Sequence, residues 1–248
     1  MMDAFHVVIP ARFNSSRLPG KPLLEFQGAS LIEHVYRRAL AANPQSILIA
    51  TDDERIATVA EGFGATVCMT STEHNSGTDR IAEAAAMQAW DGDAIIVNLQ
   101  GDEPKMPSAN IQQVAQLLQD MPDAQIATLC EPITELRDYQ DPNVVKVTKT
   151  DQGLALYFSR SSLPHMAEDQ LADLAKLAVY RHVGLYAYRA DYLQSFVKKP
   201  VSFLENSERL EQLRALQAGD AIAIAVAQKD SGHGIDTAED FQRLSADD

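Results

Sequence analysis

Two kinds of residue could do chemistry together here: cations on a loop near the start of the chain, and carboxylates on two loops far downstream. Residues 10–22 read Pro-Ala-Arg-Phe-Asn-Ser-Ser-Arg-Leu-Pro-Gly-Lys-Pro and carry Arg12, Arg17 and Lys21 on a segment whose prolines and glycine forbid continuous helix or strand. Such a backbone can fold around an anion, so the loop reads as a phosphate site. It is neither a P-loop, since Pro22 follows Lys21, nor a dinucleotide fingerprint, since no Gly-x-Gly-x-x-Gly is present. The carboxylates are Asp102, in Gln100-Gly101-Asp102-Glu103-Pro104, and Asp236, in Gly232-His233-Gly234-Ile235-Asp236-Thr237. Mg²⁺ takes one or two carboxylates with phosphate oxygens and water, so these two aspartates are candidate metal ligands, and a hard ion disfavours His233. The competing role of each aspartate is a turn or a helix cap.

Two further clusters accompany them. In His74-Asn75-Ser76-Gly77-Thr78-Asp79-Arg80 the loop donors and the first amides of a following helix suit a base edge or a phosphate. Arg80 falls in the first helical turn, where the helix dipole slightly disfavours a cation, and a ligand role would explain it. Further on, Arg160 could hold a carboxylate through two parallel hydrogen bonds, while Arg181, His182, Tyr186, Glu211 and Gln212 could read hydroxyls.

The elements that must position these residues alternate. Strand-like runs at Phe5 to Ile9, Ser46 to Thr51, Thr66 to Met69, Ala94 to Leu99 and Ile126 to Cys130 are separated by helical patterns. Ser30, Asp52 or Asp53, Thr78 and Ser108 are placed to start those helices. This predicts an α/β fold with a mostly parallel central sheet and helices on both faces. After Cys130 the rhythm changes to an antiparallel hairpin, Val144 to Thr148 and Leu154 to Ser159, then a Tyr-rich run from Val183 to Tyr188. Ser202 with Glu205 predicts a capping box for one helix reaching Leu216. A strand from Ala221 to Ala227 and a short helix capped by Thr237 close the chain.

Composition narrows the class. The 248 residues suffice for one large domain, and 21 basic against 35 acidic residues argue against general nucleic-acid binding. A local cationic cluster can still hold a nucleotide, because screening acts over about 8 Å at physiological salt. Cys68 and Cys130 give no metal or disulfide spacing. With no apolar run near 20 residues and no signal-peptide pattern, the expectation is a cytoplasmic protein.

Taken in order, Pro10 to Leu23, His74 to Arg80, Gln100 to Pro104, Tyr157 to Arg160, Arg181 to Tyr188, Leu210 to Arg214 and Gly234 to Thr237 closely resemble the 3-deoxy-manno-octulosonate cytidylyltransferases. The likeness spans nearly the whole chain. It implies a Rossmann-like nucleotidyltransferase fold and a homodimer formed through the hairpin region. It also implies use of CTP and Mg²⁺, release of pyrophosphate and a product for bacterial lipopolysaccharide. By the resemblance, the nucleotide-binding part covers about 1–130 and 220–248, and the sugar-binding and dimerisation region about 131–219. Ala11, Arg12, Ser76, Gly77 and Arg80 would surround the cytidine, with Arg17 and Lys21 on the triphosphate. Lys21, Asp102 and Asp236 would be catalytic, the two aspartates binding Mg²⁺, and Gln100, Arg160, His182, Tyr186, Glu211 and Gln212 would face the sugar. Two positions depart from the family pattern: His165 and Gln217 stand where aromatic residues are common. The acceptor is therefore expected to be the octulosonate or its 8-amino-8-deoxy analogue. Alternatives are another CTP-dependent acid-sugar nucleotidyltransferase and a non-catalytic nucleotide sensor.

Overall fold

The first strand, β1 (Phe5–Ala11), is buried along its whole length, which places it inside a sheet covered on both faces. The computed structural model describes residues 4–14, 18–232, 234–235 and 237–246. Arg17, His233 and Asp236 lie outside the described residues.

After β1 come β2 (Glu25–Phe26) and β3 (Ala29–Ser30), a small hairpin, then α1 (Leu31–Ala41), β4 (Ser46–Thr51), α2 (Glu54–Gly62) and β5 (Thr66–Met69). The alternation continues through α3 (Gly77–Gln88), β6 (Ile95–Asn98), α4 (Ser108–Asp120) and β7 (Ile126–Pro132). The next stretch holds α5 (Leu136–Gln140), β8 (Lys146–Lys149), β9 (Ala155–Ser159), α6 (Glu168–Leu171), β10 (Tyr180–Arg189) and α7 (Ala190–Phe196). Short helices α8 (Phe203–Glu208) and α9 (Leu213–Gln217) lead to β11 (Ile222–Val226) and α10 (Ala238–Ala246).

The main sheet runs β11-β7-β10-β6-β1-β4-β5, with β8 beside β10 and β9 beside β8. β1 pairs parallel with β4 and β6, β4 with β5, and β7 with β11. β10 is antiparallel to both neighbours, and β8 and β9 form the antiparallel hairpin. Successive side chains of β1 enter opposite cores, as a strand's period of two requires. Val7 and Ile9 pack with Ile32, Ile56 and Val114 of α1, α2 and α4, whereas Val8 packs with Ile81, Phe196 and Leu213 from α3, α7 and the start of α9. Helices on both faces of a mostly parallel sheet are therefore the observed architecture. Among the described residues no helix is long and apolar enough to cross a membrane.

Three local expectations are corrected. α3 begins one residue before Thr78, with Ser76 as its cap: the Ser76 hydroxyl accepts from Asp79 N at 3.1 Å and the Asp79 carboxylate accepts from Ser76 N at 3.2 Å. Ser30 stands at the start of α1, but its hydroxyl makes no capping bond. The expected helix from Ser202 to Leu216 breaks in two, because Arg209 adopts a left-handed conformation, φ 56°, that ends α8. Its capping box at Ser202 and Glu205 does form. Glu211 and Gln212 consequently sit on the connection between α8 and α9 instead of along a helix face.

Candidate active site

The carboxyl ends of β1 and β6 meet the amino end of α3 around a cleft of about 230 Å³, lined by Ala11, Arg12, Lys21, Ser76, Gly77, Arg80, Gln100 and Asp102 among others. An edge of this kind is where open α/β sheets bind ligands. A larger depression of about 980 Å³ lies at the amino ends of the same strands, beside His6, Trp90, Asp91 and Asp93. It is lined by no lysine or arginine, so nothing there suits a polyphosphate.

Lys21 organises the cleft. Its ammonium donates to Asp102 Oδ2 at 2.6 Å and to the Ile235 carbonyl at 2.7 Å, while Ile235 N donates to the Asp102 carbonyl at 2.9 Å. The cationic first loop, the loop after β6 and the stretch just before position 236 are thus tied together at one point. Gly101 makes that approach feasible, since a Cβ there would stand 2.8 Å from the Pro10 carbonyl oxygen. Arg12 is exposed, and its guanidinium has no partner among the described residues. A free cation beside a helix amino terminus and the Lys21 ammonium is well placed for an anionic ligand. Gln100 lines the same cleft and donates to Asn98 Oδ1 at 3.3 Å.

Arg80 is 3% exposed. Its guanidinium donates to Asp52 Oδ2 at 2.8 Å and Thr70 Oγ1 at 2.5 Å, which fixes it as one wall of the cleft. His74, on the facing loop, pairs with Glu83 Oε2 at 2.5 Å, and the same carboxylate accepts from Ser71 N at 2.8 Å. That backbone bond is the main reason the Glu83 carboxyl titrates below its ordinary range.

A second group of residues gathers along β10. His182 stacks edge-on against Phe158, ring centroids 5.1 Å apart, and lies 5.2 Å from Tyr186, which in turn stacks on Tyr188 at 5.9 Å. Burial lowers the His182 pKa to about 3 and raises both tyrosines. Glu211 joins this group to the nucleotide side: its carboxylate accepts from the Thr78 hydroxyl in the first turn of α3 and lies 3.7 Å from Arg214. Burial raises the Glu211 pKa. Gln212 is buried, and its side-chain Nε2 has no hydrogen-bond partner among the described residues.

Arg160 ends β9 on the rim. Its guanidinium donates to the carbonyls of Glu208, Pro142 and Arg209 at 2.8, 3.0 and 3.5 Å. Neutral carbonyls fix its direction without cancelling its charge. Its backbone is held as firmly, because the amide donates to Glu208 Oε2 at 2.9 Å and the carbonyl accepts from Lys146 Nζ at 2.7 Å. Arg181 is instead committed to Glu131 and the Gly232 carbonyl.

Thr128, Lys146 and Glu208 were not singled out from the sequence, and Asp52 was read only as a helix cap. The signal was present for two of them: Thr128 interrupts the apolar run Ile126 to Cys130, and Lys146 interrupts Val144 to Thr148. A polar residue at an inward position of a strand must have partners. Two positions depart from the family pattern. His165 is exposed, and Gln217 Oε1 accepts from Leu204 N at 2.8 Å, tying α9 to the start of α8.

Comparison with known proteins places the chain in a family. Residues 6–224 match a family model described as cytidylyltransferase. A 3-deoxy-manno-octulosonate cytidylyltransferase from Alteromonas mediterranea is 52% identical over 97% of this chain and 98% of its own. The enzyme of that name from Hahella chejuensis is 49% identical over 99% of this chain and 98% of its own. The solved structure of a CMP:2-keto-3-deoxy-manno-octonic acid synthetase complexed with CTP superposes with a TM-score of 0.89, at 40% identity and 98% coverage of both chains. A nucleotidyl transferase from Methanothermobacter, 15% identical with a TM-score of 0.62 over 99% of this chain and 97% of its own, shares the fold alone.

Proposed function

The chain belongs to the cytidylyltransferase family, among the 3-deoxy-manno-octulosonate cytidylyltransferases, and from that premise we propose how its two groups of residues divide the work. The reaction is CTP-dependent activation of 3-deoxy-manno-octulosonate to the CMP-sugar with release of pyrophosphate.

In this reading the cleft at the carboxyl edge holds CTP. Ala11, Arg12, Ser76, Gly77 and Arg80 enclose the cytidine, and Lys21 with Arg17 meets the triphosphate. The observation that carries the assignment is the Lys21 ammonium, which joins the Asp102 carboxylate to the Ile235 carbonyl at the cleft mouth. The anomeric hydroxyl of the sugar attacks the α-phosphorus, forming the new O–P bond as the bond to pyrophosphate breaks. Positioning and charge neutralisation are what such a transfer asks of the protein. Asp102 offers a half-buried carboxylate beside phosphate-binding cations, a hard oxygen donor that suits Mg²⁺. Asp236, in the segment that continues from Ile235, is the proposed second ligand. When bound, the metal supplies Lewis-acid neutralisation of phosphate charge and lowers the cost of presenting an alkoxide. Lys21 holds Asp102 in place and shares the anionic load.

The acid sugar lies along β10. Arg160, with its charge uncancelled, faces the carboxylate, and Gln100, His182, Tyr186, Glu211 and Gln212 face hydroxyls. The buried, unsatisfied Gln212 amide nitrogen supports a missing polar ligand at that point. The relatives at about 50% identity are named for the octulosonate, which supports it over the 8-amino analogue as acceptor. Leu136, Leu156, Leu177, Val201 and Phe203 are exposed within 131–219, which supports a homodimer through that region. The product would serve lipopolysaccharide assembly from the cytoplasm, where CTP is available.

Supplying CTP and Mg²⁺ with either sugar, and identifying the CMP-sugar by mass, tests the reading. The octulosonate product is expected. Asp102→Asn should lower kcat by about 100-fold or more while CTP binding stays measurable, as expected for loss of a charge-stabilising group. Turnover like the wild type's would remove Asp102 from the mechanism.

A further inference from the structure

We infer that Thr128 locks His182 in a single tautomer, making the free nitrogen of its ring an obligate hydrogen-bond acceptor for a sugar hydroxyl; this rests on the acid-sugar reading of β10. Thr128 lies on β7 with no exposed surface. Its Oγ1 is 3.1 Å from the Val183 carbonyl oxygen, 2.9 Å from that of Leu185 and 3.0 Å from His182 Nε2. A hydroxyl has one proton to give.

Both carbonyls can only accept, and both belong to the stretch of β10 where pairing with β7 slips between Val183 and Tyr186. Of the three partners only the imidazole nitrogen can itself donate; if the Thr128 proton turned towards it, neither carbonyl would receive that proton. The arrangement in which the ring nitrogen donates gives the hydroxyl both a donor and an acceptor, and it is the favoured one. The proton therefore goes to a carbonyl, and the hydroxyl oxygen accepts from His182 Nε2–H. Nδ1 then carries no proton, and it has no partner among the described residues.

The ring's surroundings keep it in that form. Phe158 and Tyr186 flank it, and neither brings a charge. Burial lowers the pKa to about 3, so the ring stays neutral where enzymes ordinarily work. A base that weak does not take the proton of the attacking hydroxyl. It accepts a hydrogen bond and therefore selects for O–H at one position of the ligand, discriminating against an ether or a carbonyl there. Thr128 is a positioning residue, acting through His182.

The test uses the full chain. Two-bond ¹H–¹⁵N correlation spectra of the histidine rings at about pH 7 read the tautomer of the unmodified protein directly. Nε2–H with an unprotonated Nδ1 is expected; the opposite tautomer, or a mixture, overturns the inference without any substitution. Thr128→Val should raise the KM for the octulosonate by about tenfold, the effect of losing roughly one good hydrogen bond. The KM for CTP should stay within about twofold, and Thr128→Ser, which keeps the hydroxyl, should restore the sugar KM. A folded Thr128→Val enzyme with an unchanged sugar KM overturns the inference. Absence of wild-type turnover on the octulosonate instead removes the functional reading and the sugar half of the inference with it, while the ring spectrum still decides the tautomer.

Discussion

A neutral imidazole inside the protein leaves a mark on stability. The folded-state pKa of His182 is about 3, against an ordinary 6.5, because burial disfavours the charged ring. Between those values the unfolded chain binds a proton that the native state refuses, so stability rises with pH across the window and is lost as pH falls through it. The slope approaches about 1.4 kcal/mol per pH unit for one such group. Calorimetry between about pH 7 and pH 4.5 should therefore show a smaller acid-induced fall in Tm for His182→Gln than for the wild type; equal falls would mean the ring is protonated in the native state. At this scale the sequence was informative about charged loops and less so about their supports. Lys21 and Asp102 announced themselves by type and by position after strands, whereas Asp52, Thr128 and Glu208 matter through partners 28, 54 and 49 residues away. No local pattern encodes such pairs.

The elements were legible where period and caps agree. β4 and β5 occupy the expected residues, and α2 starts at the expected Asp53 cap. The helix expected over Ser202 to Leu216 failed because its apolar spacing continues through Arg209 while the backbone does not. At this break the carbonyls of Glu208 and Arg209 accept from the guanidinium of Arg160, a contact distant in sequence that local spacing does not encode. Spacing also could not show how closely the loop after β6 approaches β1. Gly101→Ala would place a methyl 2.8 Å from the Pro10 carbonyl oxygen, so one backbone must move. A loss of about 1–3 kcal/mol in denaturant unfolding is expected. A matching fall in kcat/KM is expected too, because Asp102 would shift from Lys21. Retention of both would show that the loop can relax.

For the molecule as a whole, charge and apolar surface point in different directions. A net charge of −14 repels a polyanionic nucleotide, so in the proposed reading capture would depend on the cations of the first loop acting within a short screening length. The proposed homodimer would cover the exposed apolar residues of 131–219. Light scattering after size exclusion should give a dimer mass, and Phe203→Glu, replacing a side chain that is mostly exposed in one protomer, should shift it towards monomer; an unmoved dimer would place the interface elsewhere. The parallel sheet was predicted from the alternation of the first half, but the place of β10 in it was not, since its residues follow a hairpin region and read as an attachment. β10 lies between β6 and β7, which are not paired with each other in the sheet. During synthesis, then, a nascent chain that has already left the ribosome as far as β7 holds two strands whose common neighbour is still untranslated. The sheet closes only when Tyr180 to Arg189 emerges, and until then both inner edges stand open to mispairing, a delay built into the gene's own reading order.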